Sequence, residues 1–143
     1  MAFEVFFARW RDGEPVQFES DPVRQVFERY GISDFQSQYF NLPSGQSVEL
    51  HASFEEDYDT GFSVLFRSVS NELFQLICDL CGIRLVGMIV DTPFIPLVSE
   101  VEDGLQFEPP DYAAAVICKS REDVERALFP QFKHWHDWAF RPR

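Results

Sequence analysis

This sequence predicts an α+β fold: one domain over residues 1–143, a mostly antiparallel sheet of about five to six strands, and about three helices packed mainly on one face. Two observations carry that expectation. Between Gln46 and Phe66, apolar residues alternate with polar ones in two successive runs, Val48–Phe54 and Phe62–Phe66, separated by a turn. Period-two alternation marks half-buried strands, and the short connection makes the pair antiparallel. Elsewhere apolar residues recur at helical spacing inside recognisable caps, first after Asp21 and again after Ser70.

In chain order, Phe3–Trp10 reads as a strand apolar on both sides, which places it inside the sheet. Arg11–Pro15 is a turn, and Val16–Glu19 a short extended return. Asp21 as N-cap and Pro22 as first residue open a helix whose buried face is Val23, Val26, Phe27 and Tyr30, with Gly31 as its left-handed exit. Phe35, Tyr39 and Phe40 suit a short strand within Asp34–Asn41. Ser70 caps a second helix with Leu73, Leu76, Ile77 and Leu80 inward, ended by Gly82. Leu85–Val90 is apolar enough for a central strand, followed by the turn Asp91–Pro93. Phe94–Val98 is extended, with Pro96 arguing against a regular central strand. Ser99–Tyr112 reads as an irregular acidic loop, and Ala113–Cys118 as a strand of small residues. Ser120–Asp123 resembles a capping box, opening a helix that Pro130 should interrupt or restart. The segment 129–143 is aromatic and basic, to be docked on the body or held at an interface.

Charge narrows the partners. The chain has a net charge of −12. Residues 1–111 hold twenty acids against six arginines, leaving −14, while residues 112–143 hold six bases against four acids, leaving +2. An acidic field repels a nucleic-acid backbone and favours a basic protein partner, although high charge also serves solubility alone. No apolar run reaches the length of a membrane span, no secretory signal opens the chain, and three cysteines make no disulfide framework; a cytoplasmic setting is the expectation.

Motifs for chemistry are few. Cys78 and Cys81 form a CxxC in the last turn of a helix, where the dipole opposes thiolate, and Asp79 lies between them. Zinc would need further ligands from Cys118, His51, His134 and His136, and no second CxxC or HxxxH accompanies them; packing is the preferred reading, with no metal and no cofactor expected. His134 and His136 belong to the aromatic tail, itself either docked or an oligomer interface. No nucleophile elbow, phosphate loop or metalloprotease motif is present, so a non-enzymatic role is expected. The feature with most binding character is Glu55, Glu56, Asp57, Tyr58 and Asp59, carboxylates around one tyrosine at a turn. It reads either as a solvated hairpin tip or as an anionic patch with an aromatic anchor for a Lys/Arg-rich partner. Calcium is the weaker third reading, because the EF-hand spacing is absent. Glu100, Glu102 and Asp103 form a second patch.

The opening Phe3–Phe7 with Asp12–Pro15, the helix Leu73–Leu80 and the run Ile89–Pro93 resemble segments of small acidic bacterial proteins. That likeness spans about the first two-thirds of the chain and leaves the tail after Pro130 unmatched. Those proteins are similar to the immunity partners of polymorphic or contact-dependent toxins. The resemblance implies a toxin inhibitor acting through its acidic surface and supplies no catalytic residues. Two rival readings stand beside it: an adaptor subunit oligomerising through the aromatic tail, and a metal protein or enzyme using Cys78, Cys81 and the histidines.

Overall fold

Alternating burial along the first strand sorts the two sides of the sheet. In the computed structural model, which describes residues 2–35, 38–52, 54, 56–90, 95–107 and 115–139, Phe3, Val5 and Phe7 of β1 (Phe3–Arg11) are buried on one side, and Glu4 and Phe6 are half-buried on the other. The hairpin β1–β2 (Glu14–Val16) turns at Asp12 and Gly13, with φ of 51° and 78°; two successive left-handed residues match the twist of a two-residue hairpin. Next come β3 (Phe18–Glu19), α1 (Ser20–Glu28), β4 (Tyr39–Asn41), β5 (Ser47–His51), β6 (Tyr58–Asp59), β7 (Phe62–Phe66) and α2 (Asn71–Gly82). The chain then runs through β8 (Val86–Ile89), β9 (Ile95–Val98), α3 (Val101–Phe107), β10 (Val116–Ile117) and α4 (Arg121–Ala139).

Among the described residues the main sheet has eight strands in the order β10-β9-β8-β1-β7-β5-β4, with β2 on β1; all these pairs are antiparallel except β9 with β10. Register follows the hydrophobic pattern: Val5 lies opposite Val64 on one side and Ile89 on the other, so one face of three strands is apolar together. The buried residues of α1, α2 and α4 join that face in one core, in which Phe62 stacks on Phe7 at 5.3 Å and meets Phe54 edge-on at 5.2 Å. On the reverse face, Phe107 of α3 meets Trp10 at 4.9 Å over Val86 and Val98.

The α+β class and the mostly antiparallel sheet are as expected, and the counts among the described residues are higher: four helices and eight strands in the main sheet. The additional helix is α3, inside the stretch 99–112 expected to be irregular. Gly104 sits in its middle because a side chain there would lie 2.9 Å from Cβ of Ala115. The additional strands are two- and three-residue pieces too short to show a period. Asp21 is not the cap of α1: the helix begins at Ser20, because the Ser20 N–H is held by the carbonyl of Asp57 at 2.9 Å, and the cap residue Glu19 makes no side-chain bond. Pro22 still lies in the first turn, where its missing N–H is tolerated. Pro96 lies within the sheet between β8 and β10, opposite Met88; β10 pairs only with Leu97 and Val98 and asks nothing of Pro96. Pro130 does not break α4, which runs on through it: Pro130 is exposed while Leu128 and Phe132 on either side are buried, pinning both halves. The expected turn 91–93 lies outside the described residues.

Ser70 Oγ accepts from the Leu73 N–H at 3.1 Å, as its cap role requires. In α4 the Asp123 carboxylate accepts the Lys119 N–H at 2.9 Å while Ser120 Oγ accepts the Asp123 N–H at 3.4 Å, and the backbone N–H of Lys119, then that of Ser120, holds Asp123 below the usual carboxylate range. Among the described residues no helix is long and apolar enough to cross a membrane.

Candidate functional site

The acidic segment between β5 and β7 does not end in a free hairpin tip. Phe54 is buried and anchors it, meeting Phe35 at 5.2 Å and Phe27 at 6.2 Å. Arg24, one turn into α1, lies beneath the loop. Its Nε and Nη2 donate to the Phe54 carbonyl at 3.0 and 2.5 Å, Nη2 donates to the Glu56 carbonyl at 2.8 Å, and Nη1 pairs with Asp21. The chain then pairs with β3 as a separate two-stranded sheet, Tyr58 opposite Glu19 and Asp59 opposite Phe18. Asp59 closes the segment: its Oδ1 accepts the N–H groups of Thr60 at 2.7 Å and Gly61 at 3.4 Å. Its other oxygen is buried without a hydrogen-bond partner among the described residues, so this carboxylate belongs to the build of the loop. Glu56, Asp57 and Tyr58 are exposed, Tyr58 at 55%. Glu55 lies outside the described residues.

Pairing with β3 brings Glu19 beside the segment, and Arg24 brings Asp21 there through its ion pair. Five carboxylates (Glu19, Asp21, Glu56, Asp57 and Asp59) then share one guanidinium, Arg24, a balance of −4. Three of Arg24's four bonds go to backbone carbonyls, leaving the charge of Glu56, Asp57 and Asp59 without an ion-pair partner among the described residues.

The second acidic patch is compensated. Glu100 pairs with Lys119 Nζ at 2.8 Å, which lowers its pKa. Arg84 holds Asp103 through Nε at 2.8 Å and Nη2 at 3.0 Å and reaches Glu102 at 3.4 Å. Three acids against two bases leave −1. This group stands on and beside α3, which packs on β1, β8 and β9, whereas the 56–59 group stands beside β3 and α1. The structure does not bring the two patches together by any ion pair or hydrogen bond among the described residues.

Residues 129–139 form the second half of α4. Phe132 packs on Phe3 at 5.7 Å and on Phe66 at 5.9 Å, and Trp135 reaches Phe3 at 5.9 Å; Phe129 and Trp138 are exposed. All three cysteines are free and buried. Burial, then Asp79, raises the Cys78 thiol; burial, then Cys118, raises Cys81; burial, then Asp123, pushes Cys118 up to about 12. Such thiols are poor nucleophiles at neutral pH. Among the described residues no three His, Cys, Asp or Glu side chains are placed to hold a metal ion. A cleft of about 360 Å³ at the end of α2 is lined by Cys78, Cys118, Arg29, Asp79 and Lys119. Its carboxylate is committed: Asp79 accepts from Tyr30 Oη at 2.6 Å and from Gln75 at 2.9 Å.

The fold and this surface define an acidic α+β domain whose loop is ordered by its backbone and charged at its side chains. No protein-family model, no curated protein and no solved structure matches the chain.

Proposed function

We propose that this protein is a non-enzymatic binding protein that neutralises a basic partner, in the manner of an immunity protein against a bacterial toxin. The observation that supports it is the loop 56–59, held in one shape by Arg24 and β3 while Glu56, Asp57 and Tyr58 remain exposed. A preorganised anionic surface with an aromatic anchor raises the association rate of a cationic partner and loses little entropy on binding. Glu100, Glu102 and Asp103 contribute less, since Lys119 and Arg84 already occupy them.

The test is association kinetics against a basic partner captured from the native cell, together with growth protection against any toxin domain that a neighbouring gene proves to encode. The double variant Glu56→Lys with Asp57→Lys should slow association by about tenfold at low salt, with the difference from wild type shrinking as salt rises. Unchanged protection and unchanged association would remove the loop from the binding surface.

A further inference from the structure

Among the described residues, the reverse side of the sheet is covered at one end only. α3 closes it over Trp10, Val86 and Val98. Beyond that helix, strand register sets two cross-strand rows on this side. One runs Tyr39, Glu49, Leu65, Glu4, with Val90 next to Glu4 through its N–H to the Glu4 carbonyl at 3.3 Å. The other runs His51, Ser63, Phe6, Met88. Leu65 and Phe6 are half-buried at the centre, the carboxylates of Glu49 and Glu4 flank Leu65, and Tyr39 and Val90 are exposed at the two ends, at 65% and 41%. The carboxylates are fixed in place: Glu4 accepts from Ser63 Oγ at 2.6 Å, and Glu49 lies 2.9 Å from His51 Nε2. Glu49 also accepts the Tyr39 hydroxyl, which raises that phenol's pKa.

This face is continuous with the acidic loop. Gly61, two residues beyond Asp59, lies directly against the Phe6 ring; a Cβ at Gly61 would fall 2.5 Å from Phe6 Cζ. We infer that the loop 56–59 and the Leu65–Phe6 face are one docking surface for a basic protein segment that carries apolar side chains between its cations. This rests on the basic-partner reading above and names the remainder of its footprint. Two arguments single out that occupant. A second copy would bring Glu4 and Glu49 against the same carboxylates of a chain of charge −12, whereas lysines or arginines beside Leu65 complement both. Area is the other argument. Five strands span four spacings of about 4.8 Å, and about five residues at about 3.3 Å along them make a patch of roughly 320 Å². That is short of the about 800 Å² per side of a stable interface, so the face and the loop have to act together.

The experiment titrates the full chain, with backbone amides observed by NMR, with a short alternating Lys–Leu peptide and with a Lys–Ser peptide of equal charge. The Lys–Leu peptide should shift Phe6, Ser63 and Leu65 as well as Asp57–Asp59, and bind about tenfold more tightly. Leu65→Ser, which is half-exposed and leaves the charge unchanged, should erase that advantage without altering Lys–Ser binding. Equal affinities with shifts confined to the loop would overturn this inference and leave the acidic-loop reading intact. Failure of both peptides to bind would overturn both. Self-association through Leu65 in sedimentation, abolished by Leu65→Ser, would assign the face to a second copy and overturn the inference.

Discussion

Arg24→Met removes the loop's brace and keeps its hydrocarbon bulk. Arg24 makes three hydrogen bonds to the carbonyls of Phe54 and Glu56, and its side chain is 23% exposed. A charge-assisted bond contributes about 1.5–3 kcal/mol, and its loss is softened where water replaces the donor. Glu56 is exposed and its carbonyl can be rehydrated, whereas Phe54 is buried. Its carbonyl has two Arg24 donors to lose. The exposed pair with Asp21 adds well under 1 kcal/mol. The net loss should be about 2 kcal/mol, equivalent to roughly 7 °C in Tm for a domain of this size. Urea unfolding supplies the global value, and amide exchange at Asp57 and Tyr58 the local one. Exchange there should accelerate more than in β1 or β7, because the brace acts on the loop first. Arg24→Lys keeps a charge without the fork and should fall between the two. A change under about 0.5 kcal/mol, with unaltered exchange at Asp57 and Tyr58, would show that pairing with β3 alone orders the loop.

Two further outcomes follow from other parts of the molecule. Gly61→Val places a side chain against the Phe6 ring and 3.2 Å from the Phe7 carbonyl oxygen, and should destabilise by about 2 kcal/mol, read as a lower urea midpoint at unchanged slope. Cys118 is raised in the folded state from an ordinary 9.0 to about 12, so the stability tied to its proton is present below pH 9.0 and is lost as pH rises towards 12. Cys118→Ala should therefore start from lower stability at pH 7 and decline less steeply through that window, measured by denaturant unfolding across pH.

Periodicity read well wherever a strand or helix was long enough to show it. The β5–β7 pair, the Val23–Tyr30 stripe and the Ser70 cap were all legible, because each rests on residues within one turn or one hairpin. What escaped was set by distant partners. The segment β6 is two residues long, and its partner β3 lies some forty positions earlier, so no local pattern announces the pair. Arg24 likewise reads as a solvent-side residue of an amphipathic helix until the fold brings Phe54 and Glu56 to it. In α3 the acids and Gly104 look like loop residues. The helix forms because Phe107 has Trp10 to pack on, and because glycine lets it approach Ala115. The polar half of the β5 alternation was visible as Glu49 and His51. Its meaning as an open face emerged only once register placed Leu65 and Phe6 beside it.

The two acidic patches look alike in the sequence, and the separation between them is a matter of where the cations spend their donors. Arg84 and Lys119 donate to carboxylates, closing the circuit around Glu100, Glu102 and Asp103 within the chain. Any partner cation there must displace an ion pair already formed, and the gain is the small difference between two similar contacts. Arg24 instead donates mainly to carbonyls, so it offsets the repulsion within the loop by fixing the backbone and leaves the charges of Glu56 and Asp57 exposed. A cation arriving at Glu56 or Asp57 breaks no ion pair among the described residues, meets carboxylates carried on a backbone already in position, and finds Tyr58 exposed beside Glu19. Shape and charge are thus supplied by different groups, and that division is what favours residues 56–59 over residues 100–103 in the proposal of a basic partner.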